Sequence, residues 1–217
     1  MILIPVKNLA NAKQRLAAVL DQAARTELAR AMLHDVVAEI ANWSCRPSCG
    51  LVTSDPFAID LAKHYDFEII PDPANPGETG AIEMATAVCI ERGVDFTLVI
   101  PADIPLIRAN ELDEIMRHAP AVGTVLAPAA DGRGTNAAFR RPANLFHLKF
   151  GNDSFKPHIA AAQATGKPCR VMHLPGIALD VDNPSDLRNL LDHPGATHTQ
   201  SLIRQWAIDK QLLAEYQ

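Results

Sequence analysis

The sequence predicts an α/β fold, a single domain built on a mostly parallel β-sheet with helices on both faces. Three observations carry that expectation. The chain opens on an unbroken apolar run, Ile2-Leu3-Ile4-Pro5-Val6, of the kind found in strands buried on both sides. Short β-branched runs then alternate with helical patterns across the first half. At 217 residues and 48% hydrophobic, the chain holds enough apolar material for one sizeable core.

The elements follow in order. Residues 21–43 read as a helix, since Leu28, Met32, Val36 and Ile40 recur every four residues and Leu33 and Val37 widen the stripe. Residues 50–53 form a strand, 56–65 a helix and 68–71 a strand. A helix over 78–92 stops at Gly93. Residues 96–101, Phe-Thr-Leu-Val-Ile-Pro, make the strongest central strand, and 110–118 a helix. The pattern then changes. Strands at 124–128 and 136–140 flank a glycine-rich connection, Asp131-Gly132-Arg133-Gly134. Residues 154–165 form a helix with Ser154 as N-cap. Strands at 169–174 and 176–179 and a short helix at 184–191 come next. An amphipathic helix over 201–216 closes the chain, with Leu202, Trp206 and Leu213 apolar. No boundary divides the domain, although residues 1–120 read as a nucleotide-binding half and 121–217 as a substrate-binding half with the last helix.

Charge and composition exclude several classes. A net charge of −5 argues against a general nucleic-acid surface. No apolar run approaches the roughly 18 residues of a membrane span. The first residues read as a strand rather than a signal peptide, so a cytoplasmic protein is expected. Cys45 and Cys49 lie close together, but no second pair completes a zinc site, and the four cysteines read as free thiols.

Two features point to chemistry on anions. The first is the loop after the opening strand, Pro5 to Leu16, which carries Lys7, Lys13 and Arg15. Ligands of open α/β sheets bind at the carboxyl ends of the strands, where this loop must lie. Three cations there suit a triphosphate and its leaving pyrophosphate. The loop lacks the glycines of a P-loop. The second feature is a set of aspartates. Asp103 follows the central strand between Pro101 and Pro105, at the tip where a carboxylate can hold Mg²⁺. Asp180 and Asp182 alternate on an extended segment, so both can face one ion. Asp186 reads instead as a cap of the following helix.

These pieces together resemble the guanylyltransferases of deazaflavin coenzyme F-420 biosynthesis. The matching segments are Ile4-Pro5-Val6-Lys7 with Ala12-Lys13-Gln14-Arg15-Leu16, then Thr53-Ser54-Asp55, Pro101-Ala102-Asp103-Ile104-Pro105, Gly134-Thr135-Asn136, Phe150-Gly151-Asn152-Asp153-Ser154 and Leu179-Asp180-Val181-Asp182. They keep the family's order and span most of the chain. The resemblance implies a GT-A-like, Rossmann-like nucleotidyltransferase domain. It implies transfer of GMP from GTP to phosphoenolpyruvate, 2-phospho-L-lactate or 3-phospho-D-glycerate, with release of pyrophosphate. The metal-holding residues are then Asp103, Asp180 and Asp182. Asp103, Lys13 and Arg15 serve catalysis, and Pro5, Val6, Lys7, Lys13 and Ser54 contact the nucleotide. Thr135, Gly151 and Ser154 bind the phosphorylated acid, and a homodimer is expected. The family's Gly-Leu-Asn-like turn, which helps hold the base, is replaced here by Gly77-Glu78-Thr79-Gly80-Ala81-Ile82-Glu83-Met84, so Glu83 is expected to take the asparagine's place on guanine. The competing readings are another GT-A-like transferase, of the molybdenum-cofactor or sugar-phosphate type, and a GTP-sensing module without chemistry.

Overall fold

The computed structural model describes residues 1–74, 77–151 and 153–206. Its strands are β1 (Ile2–Val6), β2 (Cys49–Thr53), β3 (Glu68–Pro71), β4 (Thr97–Val99), β5 (Gly123–Pro128), β6 (Thr135–Arg141) and β7 (Cys169–Val171). Its helices are α1 (Gln22–Asn42), α2 (Pro56–His64), α3 (Glu78–Glu91), α4 (Ala109–His118), α5 (Phe155–Ala164), α6 (Pro175–Ala178), α7 (Pro184–Asp192) and α8 (His198–Gln205). The strands form one sheet in the order β3-β2-β1-β4-β6-β5-β7.

Strand direction in this sheet decides where a site can form. β3, β2, β1 and β4 pair in parallel, so their carboxyl ends share one edge. β6 is antiparallel to both β4 and β5, while β7 runs parallel to β5. The reversal of β6 carries its first residues, Thr135 and Asn136, to the edge where the first four strands end. One edge therefore collects the loop after β1, the tips of β3 and β4, and the start of β6.

The sheet is buried on both faces, as the apolar opening strand requires. Ile2, Ile4 and Val6 pack with Leu33, Val36, Val37 and Ile40 of α1, while Leu3 packs with Ile82 and Ala85 of α3 on the other side. A third cluster joins Leu16 and Leu20 to Leu28 and Met32 of α1, Leu187 and Leu190 of α7 and Ile203 of α8. That cluster clamps the loop after β1 between helices from both ends of the chain.

Three segments depart from the sequence expectation. Residues 176–179 are helical rather than extended: Pro175 starts α6 at a position that favours proline, and Gly176 N–H donates to the Glu111 carboxylate at 2.7 Å. A Cβ on residue 176 would lie 2.3 Å from the Leu106 carbonyl oxygen, so close approach to α4 overrides the apolar, strand-like composition. β7 stops at Val171 rather than 174, where its pairing with β5 ends. The closing helix begins at His198, three residues early, with Thr197 capping and Gln200 completing the box. The part of that expectation beyond residue 206 lies outside the described residues. All four cysteines are free. Among the described residues, no helix is long and apolar enough to cross a membrane.

Candidate active site

The site is built from the loop after β1 inward. Val6 ends the strand, and Leu9 turns back into the core with its N–H donating to Asp55 Oδ2 at 3.0 Å. A short 3₁₀ turn over Leu9–Asn11 follows, and then Lys13 adopts a left-handed backbone with φ 56° and ψ 43°. That conformation costs a non-glycine residue about 1 kcal/mol and marks a position fixed by its surroundings. The surroundings are two carboxylates. Lys13 Nζ donates to Asp103 Oδ2 at 2.5 Å and to Asp182 Oδ1 at 2.8 Å, with its side chain only 7% exposed.

The aspartates reach this point by separate routes. Asp103 follows β4 through Ile100, Pro101 and Ala102. Its carbonyl accepts from Val181 N–H at 3.1 Å, which pins the 180–182 segment beside it. Asp186 Oδ2 accepts from Asp182 N–H and Asn183 N–H, and with Asn183 it forms the capping box of α7. Its expected capping role therefore also holds Asp182 in place. Asp180 Oδ1 accepts from the Asn136 amide at 3.1 Å, which ties it to the start of β6. Arg15 approaches Asp182 Oδ2 at 3.5 Å.

Negative charge exceeds positive charge here, and the acidities record it. Burial opposes the Lys13 charge, but Asp103 and Asp182 outweigh it and raise its pKa above the ordinary lysine value. Burial would raise Asp182, but Lys13 and Arg15 overrule it and hold the carboxyl below its usual range. Asp180 lacks such a cation: burial first, then Asp103 and Asp182, push it up to about 6. Glu78, on the first turn of α3, is pushed up to about 7 by burial and then by Asp103. Lys13, with Lys7 and Arg15 beside it, does not balance Asp103, Asp180, Asp182 and Glu78.

A cleft of about 500 Å³ opens over the same edge of the sheet. Pro5, Val6, Lys7 and Lys13 line it from the β1 side, Asp103 and Asp182 from the β4 side, and Val52, Asp72, Glu78 and Ala81 from the far end.

Comparison with known proteins places this geometry. The family model described as guanylyl transferase CofC like matches residues 1–213. The chain belongs to that family. A phosphoenolpyruvate guanylyltransferase of Roseiflexus castenholzii is 35% identical over 96% of this chain and 95% of its own. A 2-phospho-L-lactate guanylyltransferase of Methanothermobacter thermautotrophicus is 31% identical, covering 94% and 89%. Among solved structures, a candidate nucleotide-diphospho-sugar transferase of Desulfovibrio desulfuricans G20 superposes with a TM-score of 0.77 at 16% identity, over 99% of this chain and 96% of that one. A nucleotidyl transferase of Methanothermobacter gives a TM-score of 0.59 at 14% identity, over 94% and 99%. The structures share the nucleotidyltransferase fold.

In this guanylyl transferase the sequence-derived residues fall into three groups. Pro5, Val6, Lys7, Lys13, Asp103 and Asp182 share the cleft, with Arg15 at its rim and Asp180 behind it on Asn136. Thr135 and Ser154 form a second group: both are buried, with their hydroxyls 3.4 Å apart. Ser154 makes no side-chain cap of α5, contrary to expectation, because its hydroxyl is turned to Thr135 instead. Gly151 is exposed, three residues before Ser154, in a φ of +136° that suits glycine. The last group lies outside the cleft lining. Ser54 is exposed after β2. Glu83 faces a smaller cavity beside Thr86, Arg140 and Phe146, with its carboxylate 2.8 Å from His147 Nδ1. It sits five residues and about 140° round the helix from Glu78, which does line the cleft.

Sequence reasoning also passed over His158. It is 1% exposed, one turn along α5 from Ser154. Its Nε2 accepts from Lys149 N–H at 2.8 Å, so the ring proton sits on Nδ1 and donates to Thr135 Oγ1 at 2.9 Å. Burial, and then the Arg140 charge, lower its pKa to about 4. Between that value and the ordinary 6.5, the unfolded chain binds a proton that the folded one refuses. Stability is therefore full above pH 6.5 and is lost as pH falls toward 4, by about 3 kcal/mol from this residue. Denaturant titrations of the wild type and His158→Gln across pH 4–8 read it: the stability gap between them should shrink in acid. A pH-independent gap would contradict the neutral, buried ring.

Proposed function

We propose that the protein transfers GMP from GTP to a small phosphorylated carboxylic acid, releasing pyrophosphate, as a step of coenzyme F-420 assembly. Phosphoenolpyruvate, 2-phospho-L-lactate and 3-phospho-D-glycerate are the candidate acceptors. The observation that carries this reading is the meeting of Asp103, Asp182 and Lys13 in a cleft at the carboxyl edge of the sheet. Membership of the guanylyl transferase family and its named relatives supports the donor and the acceptor class.

The donor set suits Mg²⁺. Its hard carboxylate oxygens are few, and Mg²⁺ completes its shell with water and substrate phosphates rather than an all-protein cage. Among the described residues, no three acidic, histidine or cysteine side chains close round one point as a ready-made metal site. Asp180, raised first by burial and then by the charges of Asp103 and Asp182, stands close enough to both for a cation to relieve that repulsion. Asp103, Asp182 and Asp180 are the residues to hold it. When bound, Mg²⁺ supplies charge neutralisation at the α-phosphate and the leaving pyrophosphate.

The chain's own residues account for the rest. A phosphate oxygen of the acceptor attacks the α-phosphorus as the bond to the β-phosphate oxygen breaks. The attacking oxygen is already ionised, so no strong general base is required. Lys7 and Arg15 neutralise the triphosphate, and Lys13, held between Asp103 and Asp182, would add its charge at the α-phosphate. Thr135, Ser154 and the Gly151 backbone hold the acid's phosphate, and His158 donates to the Thr135 hydroxyl to fix its direction. Orientation and charge neutralisation supply the acceleration. The reading also includes a cytoplasmic homodimer, which sedimentation of the purified chain tests.

Incubating the protein with GTP, Mg²⁺ and each acid in turn, with pyrophosphate measured and products weighed by mass spectrometry, tests the function. One acid should yield a diphosphate-linked guanosyl product. GTP consumption with molybdopterin or a sugar phosphate alone would favour the other transferases, and binding without turnover would favour a sensor.

A further inference from the structure

We propose that Asp72 is the residue that reads guanine, an inference that rests on the transferase reading above. Asp72 directly follows β3, with its N–H donating to Thr53 O at 3.4 Å. It is 7% exposed yet lines the cleft. Among the described residues its carboxylate has no hydrogen-bond or ion-pair partner. Both of its oxygens are therefore available to accept hydrogen bonds from a ligand in the cleft.

Its position fits the base rather than the phosphates. The cations and Asp103 lie over β1 and β4, whereas β3 is three strands from β4 in the sheet, about 14 Å away. A nucleotide with its phosphates on Lys7 and Lys13 extends along the cleft toward β3. The walls there include Val52 and Ala81, both buried and apolar, which suit the faces of a planar ring. The edge of that ring meets Asp72. Guanine offers N1–H and the 2-amino group side by side, two donors for the two oxygens of one carboxylate. Adenine and cytosine each present a ring-nitrogen acceptor beside their amino group, and uracil offers one donor between two carbonyls. Only guanine satisfies both oxygens. Glu83, facing the other cavity, is not needed for this.

The test compares GTP, inosine triphosphate, xanthosine triphosphate and ATP as donors, with the acid that reacts best. Inosine triphosphate lacks the 2-amino group and leaves one oxygen of Asp72 unpaired, so the wild type should favour GTP by about tenfold or more in kcat/KM. Asp72→Asn turns one acceptor into a donor. It should cut kcat/KM for GTP about 100-fold through the nucleotide KM, leave the acid KM unchanged, and favour the xanthine nucleotide, whose 2-oxo group accepts from the new amide. Loss of fold would not produce that inversion. Equal wild-type use of GTP and inosine triphosphate, or a variant that still prefers GTP to xanthosine triphosphate, would overturn the proposal. If Asp72→Asn does not fold, the wild-type preference alone decides. Calorimetry with the same nucleotides reads base preference without turnover, so absent turnover strikes the transferase reading and unselective binding strikes Asp72.

Discussion

Exchanging Asp103 for asparagine is expected to lower kcat by about 10³-fold or more, with a melting temperature within about 3 °C of the wild type. The volume and the turn after β4 are kept, and the Asp103 carbonyl still holds Val181 N–H. Lys13 keeps Asp182 as a partner at 2.8 Å. The loss is the negative charge at the tip of β4, where a cation and the α-phosphate must meet. Because that charge matters to the reaction more than to binding, the deficit should fall on kcat rather than on KM for the acid. Steady-state pyrophosphate release with thermal melting measures both. A variant within tenfold of wild-type kcat would remove Asp103 from the mechanism.

The second large effect belongs to Lys13. Lys13→Met is expected to abolish measurable turnover and to cost about 2 kcal/mol of stability. Two carboxylates then face each other without the ammonium that joins them. The full cost of breaking a buried pair is reduced here because the Asp103 and Asp182 side chains keep 29% and 40% exposure. The strain of the left-handed backbone at Lys13 remains in the variant. Millimolar Mg²⁺ should recover part of the lost stability in Lys13→Met while shifting the wild type less, because a cation can take the ammonium's place between the carboxylates. Thermal melts with and without Mg²⁺ make the comparison. Equal shifts in both proteins would mean that the metal does not occupy that point.

Much of this was legible in the sequence, for identifiable reasons. β1 reads correctly because both of its faces are buried, so no alternation confuses it. Asp103 lies at the tip of β4, as a carboxylate directly after an apolar run leads one to expect, whereas Asp180 and Asp182 follow α6 and not the expected strand. Residues 176–179 misread because the contact of Gly176 with Glu111 and the Leu106 carbonyl is tertiary. Ser154 resembles an N-cap, but the partner that diverts it, Thr135, is 19 residues earlier in the chain. Glu83 is expected on guanine by analogy with a turn, but helix phase puts it on a second cavity and Glu78 on the cleft. His158 carries no motif, and only its one-turn spacing from Ser154 could have marked it. Asp72 ends a strand as Asp103 does, so the same rule would have found it. The strand over 68–71 is simply a weaker one, with an exposed residue at each end.

The most direct test is a crystal structure of the protein soaked with Mn²⁺ and the α,β-methylene analogue of GTP, which cannot release pyrophosphate. Anomalous density should lie between Asp103 and Asp182, against the α-phosphate, with Lys13 turned to the phosphates and the base toward β3. A nucleotide bound elsewhere, or manganese bound away from both aspartates, would contradict the account.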